Sequence, residues 1–191
     1  MKKINRFISG LCLLALASCG GKDESSKSTQ EKQHEVQTEG VFKAILRPYN
    51  FTAAGWIPNG MADIKVVGDE IEIKSWMDDS ANVVHMQNIH VGSKCPSMAQ
   101  DANKDGFVDF NESMNFSGKI LMALDSDLNS QGTDGSIYPK GNYAYFQTGS
   151  LSAIRSAFTQ TVEGRVIIVT GTANDPSMPI ACGIIERMPE A

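Results

Sequence analysis

Between residues 101 and 112 the chain reads Asp-Ala-Asn-Lys-Asp-Gly-Phe-Val-Asp-Phe-Asn-Glu. Side-chain oxygens recur at alternate positions, on Asp101, Asn103, Asp105 and Asp109, and Glu112 closes the stretch. Such oxygens meet at one point only if the backbone coils around it. A convergent set of hard oxygens suits calcium, which takes roughly six to eight of them at about 2.3 to 2.6 Å. Few other residues carry chemistry. The histidines are His34, His85 and His90, and the cysteines are Cys12, Cys19, Cys95 and Cys182. No Ser/His/Asp or Cys/His set is recognisable, so no nucleophile comes with its base and the protein is not expected to be an enzyme.

The twelve residues resemble the EF-hand calcium loop. The resemblance implies that Asp101, Asn103 and Asp105 supply the first three ligands and that Gly106 permits the sharp bend. It makes the Phe107 carbonyl the fourth ligand and Asp109 the next, directly or through water, while Glu112 closes the shell with both oxygens. Val108 stands where the family places an inward-packing aliphatic residue. The plain alternative is a polar Asp/Gly turn that matches by chance. The flanks depart from the family: Cys95-Pro96 leaves room for barely one helical turn before the loop, and there is no partner loop. A structural calcium loop inserted between strands is therefore expected. Its affinity should lie nearer the roughly 10⁻⁴ to 10⁻³ M of extracellular modules than that of cytosolic sensors.

The N-terminus gives an address. Residues 1–6 carry Lys2, Lys3 and Arg6 and no acid, and an apolar run over 7–17 follows, broken only by Ser9 and Gly10. This is the pattern of a secretory leader. The run is too short to cross about 30 Å of hydrocarbon, which takes roughly 20 apolar residues, and no later stretch approaches that length. The leader ends Leu16-Ala17-Ser18-Cys19-Gly20, which resembles the lipobox of bacterial lipoproteins. That resemblance implies a signal peptide over 1–18, lipidation of Cys19 and anchoring on the cell envelope through two or more acyl chains, since one binds only weakly. Gly20 in place of an acid points to the outer membrane. The alternative is an ordinary leader cut after a small residue, with Cys12 and Cys19 as incidental thiols.

Cleavage would remove three positive charges, taking the net charge from −5 to about −8. An acidic surface argues against nucleic acid and against adhesion to anionic lipid, leaving the acyl anchor as the membrane partner. The sequence does not identify a protein or glycan partner. Residues 19–40 contain Val36 as their only large aliphatic side chain. They cannot bury enough surface to offset the entropy of ordering and are expected to form a disordered tether. Residues 41–191 then form one domain. Once Cys12 leaves and Cys19 is lipidated, Cys95 and Cys182 remain. In an oxidising compartment such a pair is expected to form a disulfide, the alternative being two buried free thiols.

The elements that must position these groups read as strands. Segments 41–46, 62–67, 70–76, 83–91, 119–124, 142–147, 165–170 and 180–185 alternate or run apolar at strand length. Pro58-Asn59-Gly60, Gly68-Asp69, Thr133-Asp134-Gly135 and Asn174-Asp175-Pro176 punctuate them. An all-β sandwich or barrel follows. Residues 151–158 alone show helical spacing and are expected to form one short surface helix.

A second resemblance refines the fold. His85-Met86-Gln87-Asn88-Ile89-His90 leads to Cys95, and Ile180-Ala181-Cys182-Gly183-Ile184-Ile185 lies near the C-terminus. Together they are similar to two marks of the copper/zinc superoxide dismutase family, in which a His-x-His strand leads to a loop cysteine bonded to an Ala-Cys-Gly stretch. The related chordin-type (CHRD) domain shares the frame, usually without metals. The resemblance covers roughly 41–188 and implies a Greek-key β-sandwich or barrel with a Cys95–Cys182 bridge. Dismutase activity does not carry over: Asn88 replaces the first histidine, and Met178-Pro179-Ile180 stands where the guiding arginine is expected. The calcium loop occupies the place of the zinc loop. A copper-binding or redox role for His85, Met86 and His90 is the competing reading, although residues five apart on a regular strand face opposite ways. His90 as a buried histidine bonded within the sheet is the simpler one. Trp56, Trp76, Tyr143 and Tyr145 either line a ligand groove or pack within and across strands.

Overall fold

The computed structural model describes residues 39–78, 82–126, 128, 143–154 and 161–189. The expected signal peptide, Cys19, His34 and the tether up to residue 38 lie outside the described residues.

Period-two alternation builds the first half of the molecule. In β1 (Gly40–Pro48), β2 (Asn59–Val67) and β3 (Glu70–Asp78) every second residue is buried: Phe42, Ala44 and Leu46, then Ala62, Ile64 and Val66, then Ile71, Ile73 and Met77. The residues between them face outward, as expected of antiparallel strands with one face on the core. β6 (Tyr143–Ser150) pairs with the free side of β3. The second half comprises β4 (Met86–His90), β5 (Ile120–Ala123), β7 (Val166–Thr170), β8 (Pro179–Ile184) and the short β9 (Glu186–Arg187).

All pairings are antiparallel, in the order β5-β4-β7-β8-β1-β2-β3-β6, with β9 against β1. Long connections place β8 beside β1, β7 beside β4 and β6 beside β3, the crossed ordering of a Greek key. β1 joins the halves: Phe42 and Lys43 pair with β9, and Arg47 and Pro48 with Cys182 and Ala181 of β8. The sheet curls into a half-barrel, and Phe42, Ile64 and Ile73 from one half meet Ile89, Ile167 and Val169 from the other in a common core. The all-β expectation is met.

β7 departs from alternation, all of it being buried, as is β8 up to Gly183. One face of these strands meets the main core. The other carries Val166, Ile168 and Cys182, which pack with Tyr49, Val108 and Cys95 in a second cluster. The connection from β4 to β5, which holds the candidate calcium loop, therefore covers the outside of β7 and β8.

Each expected strand is present, and the last gains β9. The expected helix begins on time as α3 (Leu151–Ile154), with 155–160 outside the described residues; α1 (Phe51–Ala54) is a single turn after β1. The eight-residue α2 (Phe110–Ser117) was not expected from apolar spacing, because Phe-Asn-Glu-Ser-Met-Asn-Phe-Ser has no clear apolar stripe. Its start is nonetheless written in the sequence. Asp109 and Glu112 form a reciprocal capping box around the first turn. No helix among the described residues is long and apolar enough to cross a membrane.

Candidate functional site

The loop-bearing connection is tied down before it reaches the loop. Val91 and Gly92 donate to the Lys119 and Ser117 carbonyls. A Cβ on Gly92 would stand 2.3 Å from the Ser117 oxygen, so only glycine lets the end of α2 close on β4. Cys95 is then bonded to Cys182 of β8, Cα to Cα 5.6 Å, the expected pair. One 3₁₀ turn over Met98–Gln100, capped by Ser97 and Gln100, leads into the loop. This is the single turn that the room after Cys95-Pro96 allows.

The loop is closed by its own amides. Asp101 accepts from the N–H groups of Asp105 (3.2 Å) and Gly106 (2.9 Å), Asn103 Oδ1 from Asp105 N–H (2.9 Å), and Asp105 Oδ1 from Phe107 N–H (2.9 Å). The Asn103 side-chain amide donates to Asp105 Oδ2 at 2.9 Å. Glu112 reaches back across the loop: Oε1 accepts from Ala102 and Asn103, and Oε2 from Asp109, at 2.8, 3.2 and 3.0 Å. Asp109 Oδ1 in turn accepts from Glu112 N–H at 2.9 Å. Lys104 and Gly106 adopt positive φ, 61° and 92°, which gives the bend at which the chain reverses.

The donor set is all oxygen and suits a hard cation. A carboxylate has about four acceptor sites, so each can hold its amide and still offer a lone pair to an ion. As they stand, the acids do not form a ready group of three or more metal-holding side chains, nor does any other set of His, Cys, Asp or Glu among the described residues. Calcium would have to bring the remaining lone pairs of Asp101, Asp105 and Glu112 to one point. The Phe107 carbonyl and Asp109 are better fixed, because Val108 between them is fully buried in the second cluster.

Two buried residues after β1, which the sequence did not single out, meet this connection. Tyr49 Oη lies 3.3 Å from Ser113 Oγ of α2, and burial pushes the phenol well above its ordinary range. Asn50 is hydrogen-bonded to both backbone groups of Val108. Nothing local marks either residue, since their partners lie 64 and 58 positions away.

The structure does not gather the candidate copper ligands. His85, just before β4, donates from Nδ1 to the Thr170 carbonyl at 3.1 Å. His90, at the other end of β4, donates from Nδ1 to the Gly118 carbonyl at 2.9 Å. Met86 is half-buried beside the first. His90 is buried, as the simpler expectation has it, but its bond goes to the C-cap of α2 and not to a strand, and among the described residues its Nε2 has no hydrogen-bond partner. Nor do the described aromatic side chains form a groove. Trp56 packs against the core edge-on to His85, Trp76 is partly exposed on the outside of β3, and Tyr145 donates to the Asp125 carbonyl. The Tyr143 side chain lies outside what is described.

Burial lowers the His90 pKa from its ordinary 6.5, more than the Gly118 bond raises it. The unfolded chain therefore takes up this proton first as pH falls, and protonation favours unfolding. Stability from this group is intact above about pH 6.5 and drains below it, at up to about 1.4 kcal/mol per pH unit until the folded pKa is passed. Urea midpoints measured at pH 7.5 and 5.5 should show a smaller fall for His90→Gln than for the wild type.

Compared with models of known protein families and with curated proteins, the chain matches none.

Proposed function

We propose that the protein is a lipoprotein of the bacterial envelope, anchored through Cys19, whose β-domain is stabilised by calcium and serves as a non-enzymatic binding or structural module. The calcium part is carried by one observation, the 101–112 loop. Oxygen donors occupy each position the EF-hand pattern requires, and Val108 seats the loop on the domain.

The address rests on the basic leader, the apolar run and Leu16-Ala17-Ser18-Cys19-Gly20. An acidic mature chain supports lipid as the means of attachment, because its net negative charge is repelled by anionic headgroups. The half-barrel, the Cys95–Cys182 bridge and the Asn88-Ile89-His90 strand support a dismutase-like or CHRD-type frame that has lost the metal chemistry. A binding role draws support from an open groove of about 670 Å³ beside the disulfide, where exposed Ile45 and Ile184 lie near Arg47.

Titration calorimetry on the tether-plus-domain protein tests the calcium reading. One site with a Kd of roughly 10⁻⁴ to 10⁻³ M is expected. Glu112→Gln, which loses a charge and the closing carboxylate, should bind on the order of tenfold more weakly or worse. Absence of heat at millimolar calcium would make the loop a plain Asp/Gly turn.

A further inference from the structure

Asn50 is 2 % exposed and lies two residues past the end of β1. Its side-chain oxygen accepts from Val108 N–H at 3.0 Å. Its Nδ2 donates to the Val108 carbonyl at 2.7 Å and to the Pro179 carbonyl at the start of β8 at 2.8 Å, with Met178 Sδ at 3.6 Å. In an antiparallel ladder, a hydrogen-bonded pair meets both the N–H and the C=O of one residue. Here one planar amide does the same for Val108, and its remaining proton fastens the joint to β8.

We infer that Asn50 is the positioning residue of the calcium loop, a side chain that takes the place of a neighbouring strand and orients the loop's main-chain ligand. The inference rests on the calcium reading above. Val108 N–H belongs to the same peptide unit as the Phe107 carbonyl, and a trans peptide points these two groups in opposite directions. Drawing the N–H to the buried Asn50 therefore turns the Phe107 oxygen away from the domain interior, toward the side on which exposed Asn103 and Asp105 lie. The second bond, to the Val108 carbonyl, fixes the next peptide plane and with it the start of Asp109, which both caps α2 and is a proposed ligand. A loop without a partner loop has no other described group on Val108's two backbone atoms.

Calcium affinity, terbium luminescence and melting in chelator, measured on wild type, Asn50→Ala, Asn50→Asp and Tyr49→Phe, test this. Asn50→Asp keeps size but sets an oxygen against the Val108 and Pro179 carbonyls. Both Asn50 variants should bind calcium on the order of tenfold more weakly, as loss of groups that orient metal ligands typically does. Terbium lifetimes in H₂O and D₂O should report one more coordinated water in them than in the wild type, where the Phe107 carbonyl is held. Tyr49→Phe, which removes the bond to Ser113 but leaves the Asn50 bonds to the Val108 backbone, should lower the chelator melting point yet keep Kd within about twofold and the water count unchanged. If wild type binds and the Asn50 variants match it in Kd and water count, the inference falls alone. If wild type takes up no calcium, the loop reading falls first and brings the inference down with it.

Discussion

Replacing Cys95 and Cys182 together by alanine is expected to destabilise the domain by about 4 to 5 kcal/mol. The bridge closes a loop of 87 residues, and on the chain-entropy account a loop of that length restricts the unfolded chain by this amount. The position of the bridge adds a second consequence. Cys182 belongs to the cluster under the loop, with Val108, Val166 and Ile168. Without the bridge, the connection carrying residues 101–112 is still held on the sheet by its hydrogen bonds near Gly92 and Ser117, by the His90 bond to Gly118 and by the contacts of Tyr49, Asn50 and Val108. Calcium affinity should fall along with stability. Urea denaturation of the double variant and of the reduced wild type checks the first effect, and calorimetric titration the second. A loss under about 1 kcal/mol would mean that the unfolded chain is already compact around these residues.

Calcium itself should raise stability by a comparable fraction. For a Kd near 10⁻⁴ M, roughly 10 mM calcium stands at a hundred times Kd and stabilises by about 2.7 kcal/mol, provided the unfolded chain does not bind. For a domain of this size that is roughly 5 to 10 °C in melting temperature. The sign follows from charge. Asp101, Asp105, Asp109 and Glu112 face only Lys104 within the loop, a net −3, and an ion relieves their mutual repulsion. Differential scanning calorimetry with calcium and with chelator should show the shift, magnesium should produce little of it, and Glu112→Gln should remove about half of it or more. A shift that survives undiminished in Glu112→Gln would place the ion elsewhere.

Much of this was legible before any coordinates. The strands from 41 to 76 follow from alternation, because a strand's side-chain period is two and one face must be dry. The loop's bonds are short-range: Asp101 to Asp105, Asn103 to Asp105, Asp105 to Phe107 and Asp109 to Glu112 join residues two to four apart. Neighbouring residue types therefore encode them. Even α2, missed from its apolar spacing, was announced by its Asp109–Glu112 box. The apolar run Val166-Ile167-Ile168-Val169 signalled burial on both faces without saying what would cover it.

Cover and clamp belong to the tertiary structure. That the 91–118 connection lies over β7 and β8, that His90 donates to Gly118, and that Asn50 grips Val108 across 58 positions depend on which segments the curled sheet brings together. The sequence by itself determined the period of the strands and the oxygen content of the loop, because these are set by residues in hand, and it raised the Cys95–Cys182 bridge as an expectation that the fold bears out. Only the fold decided which buried amide would hold the loop and which carbonyl would hold the histidine. A buried polar group takes whatever partner folding places beside it, and chain distance carries no trace of that choice.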